Sequence, residues 1–202
     1  NFFGGAAAGD TLISIERYEG SEFADFLDGS EGKDELLAGA GGNDIINGHG
    51  GPDMIEGGDG DDTLNGGTGD DLMIGGSGAD ALDGGEGVDT VSYLGALSPV
   101  TVSLDTELGT RGDANGDTLA NFEMLIGSGL PKEFGSVFAS GDILEGSTNL
   151  DTIYGMDGAD TIRGLAGNDL IYGNHPDQPE PLIAGHGADD TNGGDGQDAT
   201  PG

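Results

Sequence analysis

The sequence predicts an all-β fold: a right-handed parallel β-helix solenoid, arranged as two tandem modules with a β-rich spacer between them. Three observations predict it. The stretch Gly57–Ser92 is one nine-residue unit written four times, as GGDGDDTLN, GGTGDDLMI, GGSGADALD and GGEGVDTVS. A fixed short period of this kind marks a stacked-repeat architecture before any local propensity is weighed. Glycine supplies 44 of the 202 residues, several times its usual share. An apolar residue recurs at position eight of each copy (Leu64, Met73, Leu82 and Val91), so each copy offers one inward-facing side chain.

The unit reads as half a coil. Glycines at positions one, two and four (Gly57, Gly58, Gly60; Gly66, Gly67, Gly69; Gly75, Gly76, Gly78) let the chain turn through positive φ. The last three residues form a short strand with its middle side chain pointing in. Two half coils, eighteen residues, close one turn, and turns stack at about 4.8 Å, the strand spacing. No copy buries anything alone, so stability comes from stacking. Because turns alternate sides, position-six residues eighteen apart share an edge: Asp44, Asp62 and Asp80 on one, Asp53, Asp71 and Asp89 on the other.

In chain order, the first module is expected over residues 10–92. It opens with an apolar lead-in, DTLISIERYEGS, expected as a strand or a cap over the first coil. Degenerate copies follow, with Asp25 and Leu27, Asp34 and Leu36, Asp44 and Ile46, then Asp53 and Ile55 at positions six and eight; one extra residue is placed near Ala38. Residues 93–136 break the period. Within them VTVSL (100–104) alternates as a half-buried strand, RGDANGD (111–117) is a turn cluster, and GLPKEFG (129–135) reads as an inserted loop. Counting from Asp113, Thr118 and Met124 stand where an EF-hand needs Gly and Glu. DTLANFEMLIGS (117–128) echoes the first lead-in at an offset of 107 residues and carries a second one. The second, less regular module spans 137–202. Asp142, Asp151, Asp160 and Asp169 stand nine apart in it, with Leu144, Ile153, Ile162 and Ile171 as apolar partners. A Pro-rich insert at 174–182 is expected to bulge from a coil, since Pro cannot continue a central ladder. Thr191 and Thr200 replace the apolar column at the end.

The acidic column dictates the chemistry. Carboxylates about 5 Å apart repel by about 1 kcal/mol at water's dielectric and several times that at an effective value near 20. A hard divalent cation between successive turns reverses the sign. Calcium accepts six to eight oxygens in flexible geometry, whereas magnesium demands a near-octahedral shell and keeps its water. Several calcium ions are therefore the expected cofactor. Their expected ligands are Asp34, Asp44, Asp53, Asp62, Asp71, Asp80, Asp89, Asp142, Asp151, Asp160 and Asp169, with the carbonyls of the glycine turns.

These repeats resemble the repeats-in-toxin, or hemolysin-type calcium-binding, family. The resemblance rests on the GGxGxDxUx unit, mainly over 29–92 and 137–172. It implies a parallel β-roll, calcium bound between successive turns, export in the unfolded state by a type I secretion machinery, and folding outside the cell. The expected role is a calcium-binding folding module of a secreted, extracellular protein, with no catalysis of its own. The alternatives are an accessory module of a secreted metalloprotease, lipase or alginate epimerase, or an adhesin or surface-layer spacer.

Other chemistries lack their residues. A formal net charge of −34 argues against nucleic acid and anionic membranes as partners. With no cysteine there is no disulfide and no thiolate zinc site. His49, His175 and His186 form no HExxH, the serines no G-x-S-x-G elbow, and the glycine runs carry no P-loop lysine. No apolar run approaches the roughly 18 residues of a membrane-spanning helix. The opening NFFGGAAAG has no basic n-region and is not read as a signal peptide; both ends are expected to continue in a longer chain.

Overall fold

The computed structural model describes residues 17–32, 35–129, 141–156, 160–173 and 190–192. Short strands alternate between two sheets. The first sheet holds Arg17–Glu19 (β1), Leu36–Gly41 (β3), Met54–Asp59 (β5), Leu72–Ser77 (β7), Thr90–Leu94 (β9), Met124–Gly129 (β13), Thr152–Tyr154 (β15) and Leu170–Tyr172 (β17), in that spatial order. The second runs Phe26–Ser30 (β2), Ile45–Gly50 (β4), Thr63–Thr68 (β6), Ala81–Glu86 (β8), Thr118–Ala120 (β12), Leu108–Arg111 (β11), Thr101–Ser103 (β10), Ile143–Glu145 (β14), Thr161–Arg163 (β16) and Asp190–Asn192 (β18). Pairing is parallel throughout, except that β11 lies antiparallel to both β10 and β12. The chain is an all-β parallel solenoid, as the nine-residue period requires.

Position eight forms the core. Leu37, Ile46, Ile55, Leu64, Met73, Leu82, Val91, Leu119, Leu125, Leu144, Ile153, Ile162 and Ile171 are each at most 3% exposed. They come from both sheets in alternation, so one side chain per half coil fills the space between them. The register is eighteen residues through the regular block, with Ile55 opposite Met73 and Leu64 opposite Leu82.

The extra residue of the first module sits elsewhere than the sequence suggested. Arg17 pairs with Leu36 and Phe26 with Ile45, nineteen apart, whereas Leu36 pairs with Met54, eighteen apart. The insertion therefore falls between β2 and β3, not near Ala38. Leu37, not Leu36, enters the core as a result.

The spacer is woven into the second sheet. VTVSL buries Val100, Val102 and Leu104 on one face, as its alternation requires. The hairpin of β11 and β12 turns through a short 3-10 helix, Gly112–Ala114, in the RGDANGD cluster. Leu119, Phe122 and Leu125 of the second lead-in are buried, on β12, its turn and β13. In the first sheet β13 pairs directly with β9 on one side and β15 on the other. The first lead-in before Arg17, most of GLPKEFG, the Pro-rich insert, His175, His186 and Thr200 lie outside the described residues. The register sets Thr191 opposite Ile162.

Candidate metal centre

Each edge of the solenoid carries a ladder of acidic residues. On one, the Asp44 amide donates to Asp62 Oδ1 at 2.7 Å and the Asp62 amide to Asp80 Oδ1 at 2.9 Å. On the other, Asp53 donates to Asp71 and Asp71 to Asp89, each at 2.8 Å. Each rung thus spends one carboxylate oxygen on the backbone of the preceding coil. The eighteen-residue neighbour relation deduced for the two edges is observed directly. In the second block Asp142 donates to Asp160 Oδ1 at 2.9 Å and Asp151 to Asp169 Oδ1 at 3.1 Å.

The other oxygen is what remains. Asp44, Asp62, Asp71, Asp80 and Asp89 are no more than 2% exposed, and their Oδ2 atoms have no hydrogen-bond donor. A buried carboxylate oxygen left this way costs several kcal/mol in an ordinary interior. The glycines shape its surroundings. A Cβ on Gly57, Gly66 or Gly75 would lie against the Oδ2 of Asp62, Asp71 or Asp80, and for Gly57 and Gly66 also against a carbonyl of the next coil. One on Gly58, Gly67 or Gly76 would strike the carbonyl of Ala40, His49 or Gly58. Gly60, Gly69 and Gly78 have φ of 141°, 135° and 148° and face the carbonyls of Gly42, Gly51 and Gly60 just as closely. Only glycine permits that backbone with that neighbour.

Oxygens line these niches, from carboxylates and carbonyls, and they suit a hard cation of calcium's size and coordination number. Among the described residues no three His, Cys, Asp or Glu side chains converge on one point, so carbonyls must complete any cation shell here. His49 stands exposed in its turn, with Nε2 2.8 Å from Asp28 Oδ1, away from the ladder oxygens.

Burial raises the affinity of these carboxyls for protons. Asp80 is pushed up to about 7, first by desolvation and then by the carboxylates of Asp117, Asp62 and Asp61; the Asp62 amide opposes the shift. Asp89 rises to about 6 for the same leading reason, and Asp44, Asp62 and Asp71 shift in the same direction. An unfolded Asp titrates near about 3.9, so the metal-free native state holds more protons between that value and about 7. Stability of the metal-free chain then falls as pH rises through this window. In calcium-free buffer, circular dichroism is expected to show more β-structure at about pH 5 than at about pH 8; the opposite trend would refute it.

Three rungs escaped the sequence reading. Glu35 donates its amide to Asp53 Oδ1 at 2.8 Å and holds the place one coil before Asp53; Asp34 lies outside the described residues. Asp117 accepts the Asp80 amide at 2.9 Å, and Glu123 accepts the Asp89 amide at 2.9 Å. Both belong to the segment read as spacer and second lead-in, thirty-seven and thirty-four residues beyond their neighbours on the ladder. A signal was present: Asp117-Thr118-Leu119 repeats the Asp62-Thr63-Leu64 of a perfect copy.

The RTX calcium-binding nonapeptide repeat matches this chain in four copies, over residues 14–42, 39–73, 56–91 and 139–174. No curated protein matches it. With those copies spanning more than half of the sequence, and with their aspartates stacked coil upon coil, the chain belongs to the RTX calcium-binding nonapeptide repeat family.

Proposed function

We propose that the chain is a calcium-binding folding module of a secreted protein, without catalysis of its own, in which ion uptake along the two edges draws the coils together. The observation that carries this reading is the row of buried, donorless Oδ2 atoms on Asp44, Asp62, Asp71, Asp80 and Asp89. Each sits against a turn glycine, which for Asp44, Asp62, Asp71 and Asp89 also faces a backbone carbonyl of another coil. The ligands in this reading are those carboxylates, Asp53, and the carbonyls of the Gly57–Gly78 turns, with Asp160 and Asp169 at the same position of the second block's repeats. A bound divalent cation would supply positive charge that neighbouring carboxylates otherwise lack, in a chain with only 5 Lys plus Arg. The reading includes export in the unfolded state through type I machinery, as the resemblance to the repeats-in-toxin family implies. The lack of cysteine is compatible with that route, and among the described residues no helix is long and apolar enough to cross a membrane. Residues 10–92 and 137–202 act as two calcium-loaded segments joined by 93–136.

Calorimetric titration tests the reading. Saturable uptake of several calcium ions is expected, with dissociation constants of about 10⁻⁴ to 10⁻³ M as in extracellular modules. Magnesium should bind far more weakly. A chain that takes up no calcium would sink the proposal.

A further inference from the structure

The turn before each rung exists in two forms, and the residue at position two distinguishes them. In the regular turns this residue has positive φ: 114°, 109°, 109° and 103° at Gly58, Gly67, Gly76 and Gly85. Ala40, His49, Met156 and Leu165 occupy the same place and keep positive φ, at 77°, 73°, 69° and 67°, despite carrying a Cβ. Four turns have serine there instead: Ser21, Ser30, Ser128 and Ser147. Among the described residues none of these serines has positive φ.

All four serines close onto the rung that follows. Ser21 donates its amide to Asp25 Oδ2 at 2.6 Å and its hydroxyl to the same oxygen at 2.8 Å. Ser30 gives its amide to Glu35 Oε2 at 2.9 Å and its hydroxyl to Oε1 at 2.6 Å. Ser128 gives its amide to Asp142 Oδ2 and its hydroxyl to Oδ1, both at 2.7 Å. Ser147 gives its amide to Asp151 Oδ2 at 2.6 Å and its hydroxyl to both oxygens at 3.1 Å. At the far end of the first block the Tyr93 hydroxyl donates to Asp117 Oδ2 at 2.9 Å. None of these five carboxylates is among those with a buried, donorless oxygen.

We infer that the serine at position two, and Tyr93 at Asp117, take the cation's place, so that Asp25, Glu35, Asp117, Asp142 and Asp151 are metal-independent end rungs. The inference rests on the calcium reading above and narrows it. A hydrogen-bond donor and a cation compete for the same lone pairs. An amide and a hydroxyl aimed at one carboxylate fill the directions a metal would use and present their own positive ends to it. The placement is systematic. The serine-closed rungs are the first described on each edge of each block, and the tyrosine-closed rung ends one edge of the first block. The donorless rungs Asp44, Asp62 and Asp80 therefore lie between the serine-closed Asp25 and the tyrosine-closed Asp117, much as a helix is bounded by capping side chains. Asp142 and Asp151, which the nine-residue spacing places among the ligands, fall on the metal-independent side.

Calcium stoichiometry by native mass spectrometry tests this on three variants beside the unaltered chain. Asp25→Asn is expected to bind as many ions as the unaltered chain, while Asp71→Asn binds fewer. Loss of ions from Asp25→Asn equal to that from Asp71→Asn would overturn the inference. The third variant, Ala40→Ser, writes a serine-closed turn before Asp44 at a position that already carries a Cβ. It is expected to lose calcium while keeping its β-sheet circular dichroism in saturating calcium; unchanged stoichiometry would overturn the inference. An unaltered chain that binds no calcium defeats the underlying functional reading, a result distinct from either variant's failure.

Discussion

In excess EDTA near neutral pH the chain is expected to lose most of its β-sheet circular dichroism and to regain it when calcium is restored to millimolar levels. The reasoning starts from the ladders. Rung carboxylates of adjacent coils repel by about 1 kcal/mol per pair in water and by several times that in the partly dry edge. The donorless Oδ2 atoms of Asp44, Asp62, Asp71, Asp80 and Asp89 add a desolvation cost that nothing else in the turn offsets. The opposing term is one core side chain per half coil, a thin layer that stabilises only when many coils are stacked. At about 1 mM calcium, each site with a dissociation constant of about 10⁻⁴ M contributes about 1.4 kcal/mol. Several such sites together reach the lower end of an ordinary domain's stability, about 5–15 kcal/mol. An EDTA spectrum that superimposes on the calcium-loaded one would mean that packing alone suffices.

Replacing Asp71 by alanine is expected to be the most damaging single change on either edge. Its Oδ1 accepts the buried amide of Asp53, so the truncation orphans that donor at a cost of about 1–3 kcal/mol. Its Oδ2 faces the niche formed beside Gly66 and the Gly84 carbonyl. As the middle rung between Asp53 and Asp89, Asp71 would, in the proposed reading, serve a cation on either side of it. Loss of more than one calcium ion and a large fall in the calcium-loaded melting temperature should follow. Asp61→Ala gives the contrast: this residue is exposed, and its carboxylate accepts a hydrogen bond from the Ala79 amide at the turn surface. It should change stability by no more than about 0.5 kcal/mol. If Asp71→Ala kept the full stoichiometry, the sharing of rungs between neighbouring sites would be wrong.

The solenoid and its central block were legible because each structural demand has its own residue type. Positive φ calls for glycine, the inward strand position for a branched or long apolar side chain, and the edge for a short acid. Where these recur every nine residues, as from Gly57 to Ser92, sequence spacing and spatial spacing coincide. They part company at insertions. Asp117 follows Asp80 on its edge although thirty-seven residues separate them, because the chain passes through β9, β10 and β11 before β12 returns to pair with β8. Glu123 follows Asp89 by the same detour, with a longer acid in the aspartate's place. Leu36 and Leu37 are adjacent and chemically alike, so only the strand register decides which enters the core. The serines stood in the sequence only as the last residues of the two lead-ins and of the segments after them. Their meaning depends on whether a hydroxyl at position two reaches the carboxylate, which spacing alone does not specify.

The direction of the rung hydrogen bonds gives the stack a polarity. Every bond runs from the amide of an earlier coil to the carboxylate of a later one. Along the buried rungs a partly assembled stack therefore ends, on its C-terminal side, in amide hydrogens awaiting an acceptor, and on its N-terminal side in carboxylate oxygens awaiting a donor, while the exposed turn bonds from Ala79 to Asp61 and Val88 to Asp70 run the other way. For a chain of net charge −34, an incoming acidic turn is drawn to the first kind of end and repelled by the second. Growth from a nucleus should then be vectorial, adding coils in the order in which they occur along the chain.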